Sequence, residues 1–189
     1  MFTELEIINK MLSASGLAPV ADMNTQHPSY KKALLKLTDV NRAVQLQGYW
    51  FNQSVQTLQP TIDGMVYVPN QALHCRPVDD ESAHLSARGS RIYDTTNRTY
   101  IIGTSVQVEL VELLPILDLP PAVAEYVAAR AVHEFYLDQG GQDPKLSEYR
   151  GMRSLAETEF KKAVLKNSRI TQPTYARLTS GYPLRRLPT

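Results

Sequence analysis

Apolar residues recur at helical spacing in four stretches of the chain, and alternate in strand fashion through the stretch between them. Leu5, Ile8 and Leu12, with Met11, form the first stripe. Thr3 followed by Glu6 is a capping box ahead of it, and Gly16 with Pro19 is a stop. After a loop over 21–27, Pro28 and Ser29 open a longer helix with the stripe Ala33, Leu37, Val40, Val44. Lys31, Lys32, Lys36 and Arg42 lie largely on its other side. The third pattern, over 121–139, is Ala-rich, and Ala124, Ala128, Ala129 and Ala131 permit close approach of another helix. Gly140 and Gly141 end it, and Asp143-Pro144 is an N-cap followed by proline at the first helical position. The last stripe is Tyr149, Met152, Ala156, Phe160, Ala163, with Gly151 implying a close contact or a bend.

The second and third helices bracket the strand-like stretch. Phe51, Val55 and Thr57 alternate with polar residues up to Pro60. Asp63-Gly64 is a turn, Met65-Val66-Tyr67-Val68 a short strand, and Ala72 to Arg76 another. Asp79-Asp80-Glu81-Ser82 reads as a loop tip. Arg91-Ile92-Tyr93 and Thr99-Tyr100-Ile101-Ile102 predict a hairpin around Asp94 to Arg98, and Val106 to Leu110 is the clearest alternation. The expected architecture is α+β: a four-helix bundle (helices about 3–15, 28–47, 120–139, 144–167) with an inserted antiparallel β region over about 50–114. An irregular extension over 170–189 follows a single domain over 1–169.

Helix gives way to strand at Gln47-Gly48-Tyr49-Trp50-Phe51-Asn52, which holds the only Trp. Gly48 suits a left-handed helix cap, and the aromatics after it favour strand. Gly48, Tyr49, Trp50 and Phe51 are read as the core joint of the two layers, with burial of Trp50 and Phe51 contributing about 2–3 kcal/mol each.

With 43% hydrophobic and 21% charged residues the composition is that of a soluble globular protein. No apolar run approaches the length of a membrane span, and the early acids at Glu4 and Glu6 do not suit a secretory leader. The lone Cys75 excludes an internal disulfide and fits a reducing cytoplasm. Charge is uneven. Residues 160–189 hold seven of the 20 basic side chains and none of the 19 acidic ones, leaving 13 against 19 elsewhere, a net of −6. That balance does not suit a dedicated nucleic-acid binder, and the basic end suggests docking on an acidic partner.

Signatures of catalysis and cofactor binding are missing: no phosphate-cradling glycine loop, no G-x-S-x-G, no H-E-x-x-H. His74, Cys75 and His84 are the nearest approach to metal ligands, but adjacent strand residues point to opposite faces. No cofactor and no metal is expected. Asp79, Asp80, Glu81, Glu109 and Glu112 do not select a carboxylate pair, because the decisive separation is spatial.

Ile8-Asn9-x-x-Leu12, Gly16-x-x-Pro19-Val20, Gln47-Gly48-Tyr49-Trp50-Phe51-Asn52 and Ile92-Tyr93-Asp94 together resemble the tail tubular protein A family of short-tailed bacteriophages. The resemblance spans nearly the whole chain, though the C-terminal end matches only in character. It implies a non-enzymatic virion protein, the head-to-tail adaptor or gatekeeper. Twelve copies would form a ring between portal protein and tail nozzle protein, around the channel through which the genome DNA passes without specific binding. It also implies assembly in the host cytoplasm, residence in the virion tail and no membrane partner. The portal-binding residues are expected in the tail: Tyr175, Tyr182, Leu184 and Leu187 as apolar anchors, with Arg177, Arg185 and Arg186 as cations. Asp79, Asp80, Glu81, Asp94, Asn97 and Arg98 are expected to face the nozzle. Two other classes stand beside this reading. One is a wall- or glycan-degrading tail enzyme; the other is a DNA-binding packaging factor acting through Lys161, Lys162, Lys166 and Arg169.

Overall fold

The computed structural model of the chain describes residues 3–22, 27–78, 84–142 and 144–168. The described residues include four α-helices: α1 (Glu4–Ala14), α2 (Pro28–Gln45), α3 (Pro121–Asp138) and α4 (Lys145–Ser168). Between α2 and α3 lie β1 (Gln53–Leu58), β2 (Ala72–Pro77), β3 (Leu85–Arg88), β4 (Arg91–Asp94) and β5 (Val106–Glu112). The α+β class is therefore as the pattern predicts.

Helix starts follow the caps. The Thr3 hydroxyl accepts from Glu6 N–H at 3.2 Å while Glu6 accepts from Thr3 N–H at 2.8 Å, both arms of the capping box. At the far end of α1, Gly16 is left-handed (φ 72°) and Leu17 N–H reaches back to Leu12 O at 2.9 Å, closing the last carbonyls. Asn9 then pins the chain that leaves: its amide donates to Val20 O at 2.9 Å and its oxygen accepts from Val20 N–H at 2.8 Å. The motifs around Ile8-Asn9 and Pro19-Val20 are one structural unit.

α3 packs against each of the other helices. Ile7, Ile8, Met11 and Leu12 of α1 meet Ala33, Leu37, Val40 and Val44 of α2 and Val123, Val127, Ala131 and Phe135 of α3 in one core. The α2 stripe is buried as expected. The α4 stripe needs correction. Ala156 and Phe160 are buried, but Met152 is 55% exposed. The inward line instead runs through Tyr149, Arg153, Ala156, Phe160 and Ala163, alternating steps of four and three, and Met152 falls one position outside it. Gly151 is exposed with open space beside its α-carbon, and α4 runs through it unbroken, so it serves no close contact.

In the β region, β5 is the central strand of an antiparallel sheet ordered β1-β5-β2. Val106, Val108 and Leu110 on one face of β5 join Val66, Val68 and Ile92 in a second, smaller core. The expected hairpin is only partly realised. Asp94 and Thr99 pair across the loop, but the ladder partner of β4 is β3, joined to it by Gly89-Ser90. Met65 and Tyr67 make isolated bridges to Ile101 and Arg91 instead of forming a strand. Alternation reports which face a residue takes and says nothing about its neighbour across the ladder.

Candidate assembly interface

The joint between the layers is held by amides as much as by rings. Gly48 is left-handed (φ 72°), and a β-carbon there would meet Val111 Cγ2 at 2.9 Å, so both conformation and space call for glycine. Tyr49 stacks on Phe51 and meets Phe160 of α4 edge-on, and Trp50 meets Phe51 edge-on. All three rings pack against the helical core yet remain half-buried, so their burial contributes less than the sequence suggests. The fully enclosed side chains are Gln45 (0% exposed) and Asn52 (5%). Gln45 donates to Leu114 O at 2.9 Å and to Asn41 Oδ1 at 2.8 Å, and accepts from Leu114 N–H at 2.9 Å. Asn52 donates to Gln45 O and Glu112 O, both at 3.0 Å, and accepts from Tyr49 N–H at 2.8 Å. These amides tie the end of α2 to the exit of β5. The only sequence signal for them is polar residues continuing the buried stripe of α2, at 41 and 45, one residue past Val40 and Val44.

Asp94, Asn97 and Arg98 share one loop, but Asp94 does not face outward. It is 6% exposed, and its carboxylate accepts from Thr96 N–H, Asn97 N–H and Asn97 Nδ2, each at 2.8 Å. The Asn97 backbone N–H, first among these, holds the Asp94 pKa below the ordinary carboxylate value, with His84 nearby adding to the effect. Asp94 shapes the loop; Asn97 and Arg98, the latter at φ 55°, are its exposed part. Asp79, Asp80 and Glu81 lie outside the described residues, as do Tyr175, Arg177, Tyr182, Leu184, Arg185, Arg186 and Leu187.

Among the described residues, a groove of about 790 Å³ lies where α1 and α4 flank α3. Ala128, Ala129 and Val132 of α3 line it together with Ala14 of α1 and Tyr149, Met152, Leu155 and Ala156 of α4. The small alanines leave the room, and Met152 and Leu155 (67% exposed) border it with apolar surface. Lys10, Glu125 and Glu159 are its charged residues. In the β region Ile62 is wholly exposed and Ile101 61% exposed. Contiguous exposed apolar surface like that of the groove marks contact sites.

Reactive chemistry finds little footing. Burial pushes the Cys75 thiol up to about 11, which keeps it protonated at neutral pH. Among the described residues no group of His, Cys, Asp and Glu could hold a metal ion. Among them, too, no helix is long and apolar enough to cross a membrane. Lys161 and Lys162, named for DNA binding, form ion pairs with Glu157 at 2.6 Å and Glu159 at 2.7 Å along α4.

The described residues thus form an α+β fold with an open apolar groove between helices and exposed apolar side chains in the β region. A sequence model of the family described as Tail tubular protein matches residues 5–173. The chain is also 31% identical over 146 residues to the tail tubular protein A of Klebsiella phage KP34, covering 77% of this chain and 78% of that one. The chain belongs to the tail tubular protein family: it is a structural protein of the phage tail and not an enzyme.

Proposed function

We propose that the protein is the head-to-tail adaptor of its virion, twelve copies forming a ring between portal and nozzle around the genome-exit channel. Membership of the tail tubular family across most of the chain carries this reading. In it, the four helices form a bundle within a domain over 1–169, and residues 170–189 are a docking tail. A ring closes through a heterologous contact, which needs unlike patches on each subunit. The groove of α1, α3 and α4 and the exposed Ile62 and Ile101 of the β region supply unlike surfaces of this kind. The tail anchors, Tyr175, Tyr182, Leu184 and Leu187 with Arg177, Arg185 and Arg186, dock on acidic portal groups. Asn97 and Arg98 face the nozzle on the loop that Asp94 shapes, together with Asp79, Asp80 and Glu81. A net-acidic body suits DNA that passes without being gripped, since phosphate neutralisation makes binding tight. Assembly takes place in the host cytoplasm.

The test is to mix the protein with purified portal rings and weigh the complex. Full-length chain is expected to give a ring-sized increment, and deletion of residues 172–189 to abolish attachment. Undiminished attachment of the deleted chain overturns the docking assignment.

A further inference from the structure

No described residue covers the groove between α1, α3 and α4. Leaving Met152 and Leu155 in water on a free chain forgoes the free energy of burying them. One segment of the same chain has the matching chemistry. Residues 169–189 follow directly on α4 and combine Tyr175, Tyr182, Leu184 and Leu187 with four arginines and no acidic residue. The groove lining holds two carboxylates, Glu125 and Glu159, against the single cation Lys10, and Glu159 carries an exposed pair with Lys162 that an arginine can replace.

Chain length allows the match. The α4 wall of the groove runs from Tyr149 to Glu159, about 15 Å at 1.5 Å per residue, and Ser168 lies about 13 Å further along the helix. From Ser168 an extended chain spans about 23 Å by Tyr175 and about 46 Å by Tyr182, at about 3.3 Å per residue. That is enough to double back beside α4 and lay residues 182–187 along its wall.

We propose that in the free chain the groove holds its own C-terminal segment, residues 175–187. The apolar anchors lie against Ala129, Met152 and Leu155, and the arginines pair with Glu125 and, in exchange for Lys162, with Glu159. This rests on the adaptor reading for its consequence. The same segment docks on the portal and the same groove meets the next subunit, so capture of the tail by the portal uncovers the ring contact only at the vertex.

The experiment uses the full-length chain with paired substitutions Leu155→Cys and Leu184→Cys. A control chain carries Ile62→Cys with Leu184→Cys; all three sites are either strongly exposed or in the tail, and Cys75 is common to both. Under mild oxidation, the groove pair is expected to close within single chains about tenfold faster than the control, because occupancy raises the local thiol concentration. Adding Glu125→Lys to the groove pair is expected to slow closure. Equal rates in the two chains overturn the proposal, and so does a bond found only between chains and in proportion to their concentration. Portal attachment of the chain lacking 172–189 separates the two readings. If that deletion abolishes attachment while the closure rates are equal, the adaptor reading stands and groove occupancy falls.

Discussion

The helical layer and the β region solve the same problem by different means. The helices share one continuous core in which α3 touches all the others, and the stability there is apolar packing. The β region has a small core of Val66, Val68, Ile92, Val106, Val108 and Leu110, and much of its shape comes from isolated bridges and buried polar groups. Asp94 builds one loop by accepting three hydrogen bonds, and Gln45 and Asn52 hold the exit of β5. A packed core tolerates exchange of similar volumes. A buried amide network tolerates almost nothing, because each group removed leaves another unpaired. A tail protein gains from this division, with a firm helical body and a β region whose loops are set individually.

Four substitutions would break or sharpen the contrast. Phe135→Ala, at 1% exposure in the shared helical core, is expected to cost about 3–5 kcal/mol in urea unfolding. Ile92→Ala, fully buried in the β core, should cost less because its smaller surroundings can relax; an equal or larger loss would break the comparison. Next, Gln45→Leu keeps the volume but orphans Leu114 N–H and takes away the donor to Asn41 Oδ1 and one of the two donors to Leu114 O, and is expected to cost about 2–3 kcal/mol. Hydrogen exchange at Leu114 should accelerate with it; unchanged exchange would mean that the network does not hold the strand exit. The smallest effect is expected for Gly48→Ala, about 1–2 kcal/mol from the left-handed backbone. Crowding against Val111 adds to it. In a Val111→Ala background the crowding part should vanish, and simple additivity of the two would show that the contact is not felt.

Much of the helical half was legible in the residues themselves. The Thr3–Glu6 box, the stop at Gly16 and the stripe of α2 are local patterns read at a fixed period, and the structure places them as read. Met152 was misread because positions 152 and 153 both fit a helical stripe, and only the position of α3 decides which turns inward. The same exposed Met152, with Leu155, became a wall of the groove. In the β region the alternation from Val106 to Leu110 marked the strand that runs to Glu112, but β3 was not evident, since Leu85-Ser86-Ala87-Arg88 carries little strand signal of its own. Asp94 looked like a surface charge in a polar loop; its inward turn depends on backbone N–H groups that sequence does not position.

By itself, then, the sequence determined the helices and their ends, the α+β class, the family motifs and the unequal charge of the two ends, because each is written in neighbouring residues. Tertiary structure alone decided which strand pairs with which, which amides are buried, and that Ala128 and Ala129 of α3 line an open groove while Ala124 and Ala131 are packed in the core. Those outcomes depend on contacts between residues tens of positions apart, such as Gln45 with Leu114, where the energy resides in the meeting and not in either residue. At the joint of Gly48 to Asn52, glycine and aromatics announced a change of structure; the fold assigned the holding to Asn52 and Gln45.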